Sequence, residues 1–85
     1  MRDTEYATEL ATASLDLGKG HEAKLERLYV KDSEQDEIRF SWWKDGRIMM
    51  RPLDIAESDL LRLMESAVQA GVFTPEFRSR LRNTL

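Results

Sequence analysis

The sequence contains no cysteine and only one histidine among its 85 residues. Without cysteine the chain can form neither a disulfide nor a thiolate metal site, and one histidine makes no cluster of imidazole ligands. Its apolar runs are far shorter than the roughly 20 residues of a membrane-spanning helix. The polar start Met1–Glu5 is followed by no apolar signal-peptide segment. These absences predict a cytoplasmic protein without a metal, a cofactor or a membrane partner.

The chain is also short and carries little net charge. Its length predicts one small domain, residues 1–85, with a thin core, and domains of this size often add an oligomer interface. The net charge of −3 argues against a dedicated nucleic-acid-binding protein. The charge is unevenly divided, because residues 1–37 hold 10 acidic and 5 basic side chains whereas residues 38–85 hold 6 and 8.

The stretch Glu37–Leu53 is predicted to form a central β-hairpin. Two strand-forming runs flank Asp45-Gly46, a dipeptide that favours a two-residue type I′ turn because both positions need φ > 0. Counting outward from this turn sets Trp43 opposite Ile48. The same count sets Phe40 opposite Arg51 and Ile38 opposite Leu53.

Alternation along the two strands gives the hairpin two different faces. One face carries Ile38, Phe40, Trp42, Met49, Arg51 and Leu53. The other carries Arg39, Ser41, Trp43, Ile48, Met50 and Pro52. The first face is the more apolar and is therefore the predicted core face, so the second tryptophan points away from the core.

Further strands are predicted before the hairpin. Residues 1–9 look frayed or loosely helical, and residues 10–17 alternate as a strand, although a helical stripe also fits them. The glycines of residues 18–20 break the chain. Residues 21–31 favour a strand over a short helix, and residues 32–36 form a polar, acidic loop.

Two helices are predicted after the hairpin. Asp54 and Glu57 have capping-box spacing at the start of a long helix, and Gly71 is a natural stop. The apolar stripe of this helix consists of Leu60, Leu61, Met64, Ala67 and Val68, with Leu63 at its margin. A short last helix over residues 75–83 begins with Thr74 as its N-cap.

These elements predict an α+β fold, an antiparallel β-meander of three to four strands around the central hairpin 37–53. A long helix and a short C-terminal helix follow and are expected to cover one face of the sheet. This order of elements resembles in its topology the single-stranded-DNA-binding domains of the PC4 coactivator type. The resemblance implies single-stranded nucleic acid as a ligand, but no sequence motif accompanies it, and a fold does not fix a function.

No set of residues in the sequence supports catalysis. His21 stands alone beside a glycine turn, whereas a general base needs a positioned partner. Carboxylate pairs such as Asp36-Glu37 lie where loops and helix starts ordinarily place acidic residues. We therefore expect a non-enzymatic binding or regulatory protein.

An aromatic and arginine-rich face of the sheet is the predicted binding surface. Its candidate residues are Tyr29, Arg39, Trp43, Ile48, Met50 and Arg51 on the strands, and Arg78 and Arg82 on the last helix. Tryptophan, methionine and arginine are enriched at protein interfaces, so we expect a homodimer or a protein partner. Aromatic residues beside basic ones also suit single-stranded nucleic acid, which is the alternative. A third interpretation stays open, in which both tryptophans fill a core and the arginines form surface salt bridges.

Overall fold

The computed structural model describes residues 2–49 and 52–85. Its strands are β1 (Ala7–Gly18), β2 (His21–Val30), β3 (Gln35–Lys44), β4 (Arg47–Ile48) and β5 (Leu53–Ile55), and its helices are α1 (Glu57–Gln69) and α2 (Pro75–Thr84). The strands pair in the order β1-β2-β3, and both β4 and β5 lie alongside β3. Every pairing is antiparallel. The predicted α+β meander followed by two helices is confirmed.

The first strand, β1, begins three residues before the predicted one. Residues 10–17, for which a helix was the alternative, lie within it. The amide of Glu9 donates to the carbonyl of Arg2 at 2.7 Å, and Asp3 forms an antiparallel bridge with Thr8. The segment before β1 therefore covers the start of its outer edge. Among the described residues, the rest of β1 pairs with β2 alone.

The Asp45-Gly46 turn joins β3 to β4 as the sequence predicts. Both turn residues have positive φ, 48° for Asp45 and 81° for Gly46, as a type I′ turn requires. Trp43 pairs with Ile48, and the register next to the turn is therefore confirmed.

Further from the turn, the predicted register is wrong by two residues. Ile38 pairs with Ile55 rather than with Leu53, and Phe40 pairs with Leu53 rather than with Arg51. The shift arises between β4 and β5, across a stretch that includes residues 50 and 51, which lie outside the described residues. Because side chains alternate with a period of two, a shift of two leaves Leu53 on the predicted face.

The positive φ of Gly46 gives a direct test of the hairpin. We expect Gly46→Val to lower the free energy of unfolding by about 1–2 kcal/mol, because a side chain there is forced into the left-handed region. Gly46→Asn is the matched control, since asparagine tolerates that region and should cost less. Urea denaturation measures both. Equal stability of the valine variant and the wild type would contradict the turn assignment.

The start of α1 differs from the predicted capping box. Asp54 lies in β5, where it pairs with Arg39, and the N-cap of α1 is Ala56, which makes no side-chain cap bond. The guanidinium of Arg39 donates two hydrogen bonds to Asp54, from Nε at 2.7 Å and from Nη2 at 2.8 Å. Two parallel hydrogen bonds from a guanidinium bind a carboxylate more strongly than the single helix amide of a cap does, so Asp54 pairs with the sheet rather than with the helix.

The other helix boundaries follow the predicted signals. After α1, Gly71 has φ of 76°, and the amide of Val72 donates to the carbonyl of Ala67 at 3.0 Å. In α2 the hydroxyl of Thr74 accepts from the amide of Phe77 at 3.1 Å, with proline at the first helical position. Gly71 as a stop and Thr74 as an N-cap are confirmed. Neither described helix is long and apolar enough to cross a membrane.

The buried core of the chain is small. In the part of the chain that the structure describes, its apolar members are Ala7, Leu28 and Ile38. Neither α1 nor α2 contains a buried residue, and α1 approaches the sheet chiefly along β3. The helices therefore reach only the β3 side of the sheet, and the expectation that they cover a whole face is not met.

Candidate interaction surface

Strand pairing divides the sheet into two faces of opposite character, because residues directly paired across strands share a face. We call one the polar face; it carries Glu9, Thr12, Glu22, Lys24, Glu26, Leu28, Arg39, Ser41, Trp43, Ile48 and Asp54. We call the other the apolar face; it carries Ala11, Ala13, Leu15, Ala23, Leu25, Arg27, Ile38, Phe40, Trp42, Leu53 and Ile55. The adjacent tryptophans thus point to opposite sides, as predicted.

Trp43 is held within the polar face by neighbours from the same chain. Its indole Nε1 donates to the hydroxyl of Ser41 at 2.8 Å. The ammonium of Lys24 lies 4.3 Å from its ring centroid, and the guanidinium of Arg2 lies 5.8 Å from it. These are distances at which a cation is attracted to an indole face. Trp43 is half-buried as a result and offers a partner only part of its ring.

Arg39 is also occupied within the chain. Its double hydrogen bond to Asp54 raises the pKa of the guanidinium above its usual range, against the opposing effect of burial. Arginine recognises phosphate through the paired N–H donors of its guanidinium. Because the guanidinium of Arg39 already donates two hydrogen bonds to a carboxylate, it has few donors available for a nucleic-acid phosphate. The sequence predicted Arg39 as part of the binding surface, whereas in the structure its guanidinium is paired with Asp54 on β5.

A buried carboxylate joins the N-terminal segment to the polar face. The side chain of Glu26 is 1 % exposed and pairs with Arg2 Nη2 at 3.1 Å. The hydroxyl of Thr12 lies 3.3 Å from the same carboxylate oxygen. Nearby, a hydrogen bond from Thr12 and another from the amide of Arg2 hold the pKa of Glu9 below its usual value. Most of the polar groups named here are therefore paired within the chain, although Glu26 Oε1 is buried without a hydrogen-bond partner among the described residues.

The remaining predicted site residues are spread over separate surfaces. Ile48 lies beside Trp43, but Tyr29 pairs with Asp36 and so lies on the apolar side of β2. Arg78 and Arg82 line a groove between the helices, away from the sheet. Met50 and Arg51 fall outside the described residues. The structure thus does not gather the predicted set into one patch.

The apolar face is arranged in three rows that run across the strands. The first row is Leu15, Ala23 and Trp42; the second is Ala13, Leu25, Phe40 and Leu53; the third is Ala11, Arg27, Ile38 and Ile55. The third row is covered on β2 and β3, because Ile38 is buried and Arg27 forms a salt bridge with Glu57 at the start of α1, whereas Ala11 on β1 is exposed. The first two rows are not covered: Leu25 is 44 %, Phe40 41 % and Leu53 53 % exposed.

Trp42 is fixed in place at the edge of these rows. Its ring stacks on His21 with a centroid distance of 5.4 Å, and its Nε1 donates to His21 Nδ1 at 3.0 Å. In the sequence His21 stands alone beside a glycine turn, whereas in the structure it contacts Trp42 and helps to position it. An aromatic side chain already held in one orientation loses little entropy when a partner covers it.

The helices present a second apolar surface. We call it the helical stripe and define it as Leu61, Val68, Phe77 and Leu81, all exposed. A groove of about 250 Å³ runs between α1 and α2 past the last three of these residues. The stripe predicted for α1 is therefore only half-buried, at Leu60, Met64 and Ala67, while Leu61 and Val68 face outward.

The total surface of the chain is large for its mass. The chain exposes 6856 Å², whereas a folded monomer of its 9.9 kDa exposes roughly 5,200 Å². Its radius of gyration is 14.5 Å, against about 12 Å for a domain of this length. A single copy therefore leaves an excess of about 1,600 Å² in contact with solvent.

No family model, curated protein or solved structure matches the chain. The topological resemblance to single-stranded-DNA-binding domains gains no support from these comparisons. Among the described residues, no group of histidine, aspartate and glutamate side chains is placed to hold a metal ion. The features that indicate a function are therefore the exposed apolar surfaces of the sheet and the helices.

Proposed function

We propose that this chain is a non-enzymatic binding protein that works as a homodimer through the apolar face of its sheet. The observation that carries the proposal is the exposure of two rows of large apolar side chains on adjacent strands, with Leu25 and Phe40 at their centre. Soluble monomers rarely expose contiguous apolar patches larger than a few hundred Å², and larger ones mark interaction sites. This surface replaces the one predicted around Trp43.

The polar face is less suitable than the apolar face as the interface of the proposed homodimer. Trp43 is half-buried beneath Lys24 and Arg2, and Arg39 is bound to Asp54. A partner docking there would have to displace these contacts or leave charges desolvated, which is costly. The apolar face needs no such rearrangement.

The excess area supports a second copy as the occupant. A standard interface buries about 800 Å² per partner, and obligate homodimers bury about 1,000–2,500 Å² per partner. The excess of about 1,600 Å² on one chain falls in the obligate range. Two-fold dimers are also the commonest soluble assemblies.

Single-stranded nucleic acid is the second candidate. It is favoured by the exposure of Phe40, Trp42 and Tyr29 on the same side of an antiparallel sheet, because bases stack on such side chains. Two observations weigh against it. Arg27 on β2 and Arg39 on β3 are both paired with carboxylates, and the net charge of the chain is −3.

Sedimentation equilibrium of matched variants tests the homodimer. We expect the wild type at micromolar concentration to have about twice the chain mass, and Leu25→Glu to be monomeric because it places a charge in the middle of the interface. Ile48→Glu is the control, since Ile48 is 41 % exposed on the polar face, and it should remain a dimer. A monomeric wild type, or a dimeric Leu25→Glu, would overturn the proposal.

The same variants separate the second candidate from the first. Fluorescence anisotropy with labelled single-stranded oligonucleotides at two salt concentrations provides the measurement. Binding that falls steeply with salt and is lost in Leu25→Glu would support a nucleic-acid surface. The homodimer proposal expects no binding, because the partner copy covers the rings.

A further inference from the structure

We infer that in this homodimer each copy covers the apolar face of its partner with its own α1 and α2. The inference rests on the proposed function and specifies what lies on the exposed rows. Helix-on-sheet layers are the ordinary way in which an α+β domain buries its apolar surfaces. Here the two layers would come from different copies, related by a two-fold axis.

Both halves of such a contact are uncovered in the single chain. The sheet lacks cover over its first two rows, and the helices lack cover over the helical stripe, where Leu61 is 61 % exposed. A two-fold contact is reciprocal, so one axis brings each stripe onto the other sheet. Sheet-on-sheet packing would leave both helical stripes in solvent, and helix-on-helix packing would leave both sheets there.

The size of the excess area also calls for both surfaces. The large side chains of the two open rows are Leu15, Leu25, Phe40, Trp42 and Leu53, all partly exposed. At about 150–250 Å² for a large side chain, about half of it already buried, they contribute on the order of 500 Å². The sheet alone therefore falls short of the excess of about 1,600 Å², and the helices must contribute.

The absence of cysteine makes this geometry directly testable. One chain carries Leu25→Cys and another carries Leu61→Cys or Val68→Cys, so that each chain has a single thiol. The two are unfolded, mixed, refolded and oxidised, and mass spectrometry identifies which chains are joined. We expect a disulfide between the sheet cysteine and at least one helix cysteine. Leu25→Cys mixed with Ile48→Cys is the control and should give none, because a disulfide needs Cα atoms within about 7 Å.

The outcomes separate the inference from the proposed function. Two outcomes would overturn the inference but leave the homodimer proposal intact, provided that sedimentation still shows a dimer. The first is a disulfide between two Leu25→Cys chains. The second is the absence of a disulfide between Leu25→Cys and either helix cysteine. A monomer in sedimentation would overturn both. A sheet–helix disulfide in a protein that sediments as a dimer supports both.

Discussion

Leu28→Ala lowers the free energy of unfolding by about 2–5 kcal/mol, the range expected when a buried leucine loses its side chain and leaves a cavity. Leu28 is 1 % exposed and is the largest apolar side chain so deeply buried in the described chain. It lies on β2 opposite Glu9 and Glu37, so the lost contacts are those that join the three long strands. Urea denaturation with a common slope for both proteins gives the difference.

The matched control is Leu85→Ala. Leu85 is 96 % exposed, so the same deletion of atoms should change stability by less than about 0.5 kcal/mol. A cost below about 0.5 kcal/mol at Leu28 would mean that the segment before β1 and the polar face do not pack as described. In a domain with so small a core, the expected loss is a large share of the total stability.

The proposed homodimer predicts that the melting temperature of the wild type rises with protein concentration. Association with a second copy stabilises the folded state by mass action, so a hundredfold increase in concentration should raise the midpoint by about 5–10 °C for a dimer of domains of this size. The physical reason is that the proposed interface would bury the rows around Leu25 and Phe40 only in the complex. Calorimetry or circular dichroism over the concentration series measures the shift.

Leu25→Glu should remove this concentration dependence and melt at or below the lowest wild-type midpoint. Ile48→Glu, on the polar face, should keep the dependence. A wild type whose midpoint stays constant over the series would contradict the obligate dimer. The measurement does not depend on which surface of the partner covers the sheet.

Local signals predicted the turn of the hairpin, the end of α1 and the start of α2. Asp45-Gly46 fixes the turn because few dipeptides accept two positive φ angles, and Thr74 caps α2 because its hydroxyl reaches the amide three residues on. Alternation then assigns Trp42 and Trp43 to opposite faces whatever else the chain does. These features depend only on residues close together in sequence.

The side of the sheet that is covered within one chain could not be predicted in the same way. The sequence favoured the face of Phe40 and Trp42 as the core because it is the more apolar. The structure instead fills the face of Trp43, using Arg2 and Lys24, which lie far from it in sequence. No periodicity shows that a charged side chain will lie on an indole.

The start of the long helix was missed for a related reason. Asp54 and Glu57 have the spacing of a capping box, but Asp54 forms a salt bridge with Arg39, 15 residues earlier. The capping-box pattern considers only contacts between residues close together in sequence. In the folded chain Asp54 instead makes the stronger contact with the distant Arg39. The same pairing creates β5 and shifts the register of the second half of the hairpin.

The outer edge of β1 has a practical consequence for handling the protein. Beyond the stretch covered by Arg2 and Asp3, this edge has no partner strand among the described residues, so its backbone can pair with a strand from another molecule, the first step toward fibres. Glu9 and Asp16 flank the neutral run between them, and mutual repulsion of these carboxylates keeps two such edges apart. The net charge of −3 adds a repulsion between whole molecules, and this repulsion disappears near the isoelectric point of about 5.1. Stocks kept near that pH should therefore cloud and accumulate thioflavin-positive material, whereas stocks at neutral pH stay clear.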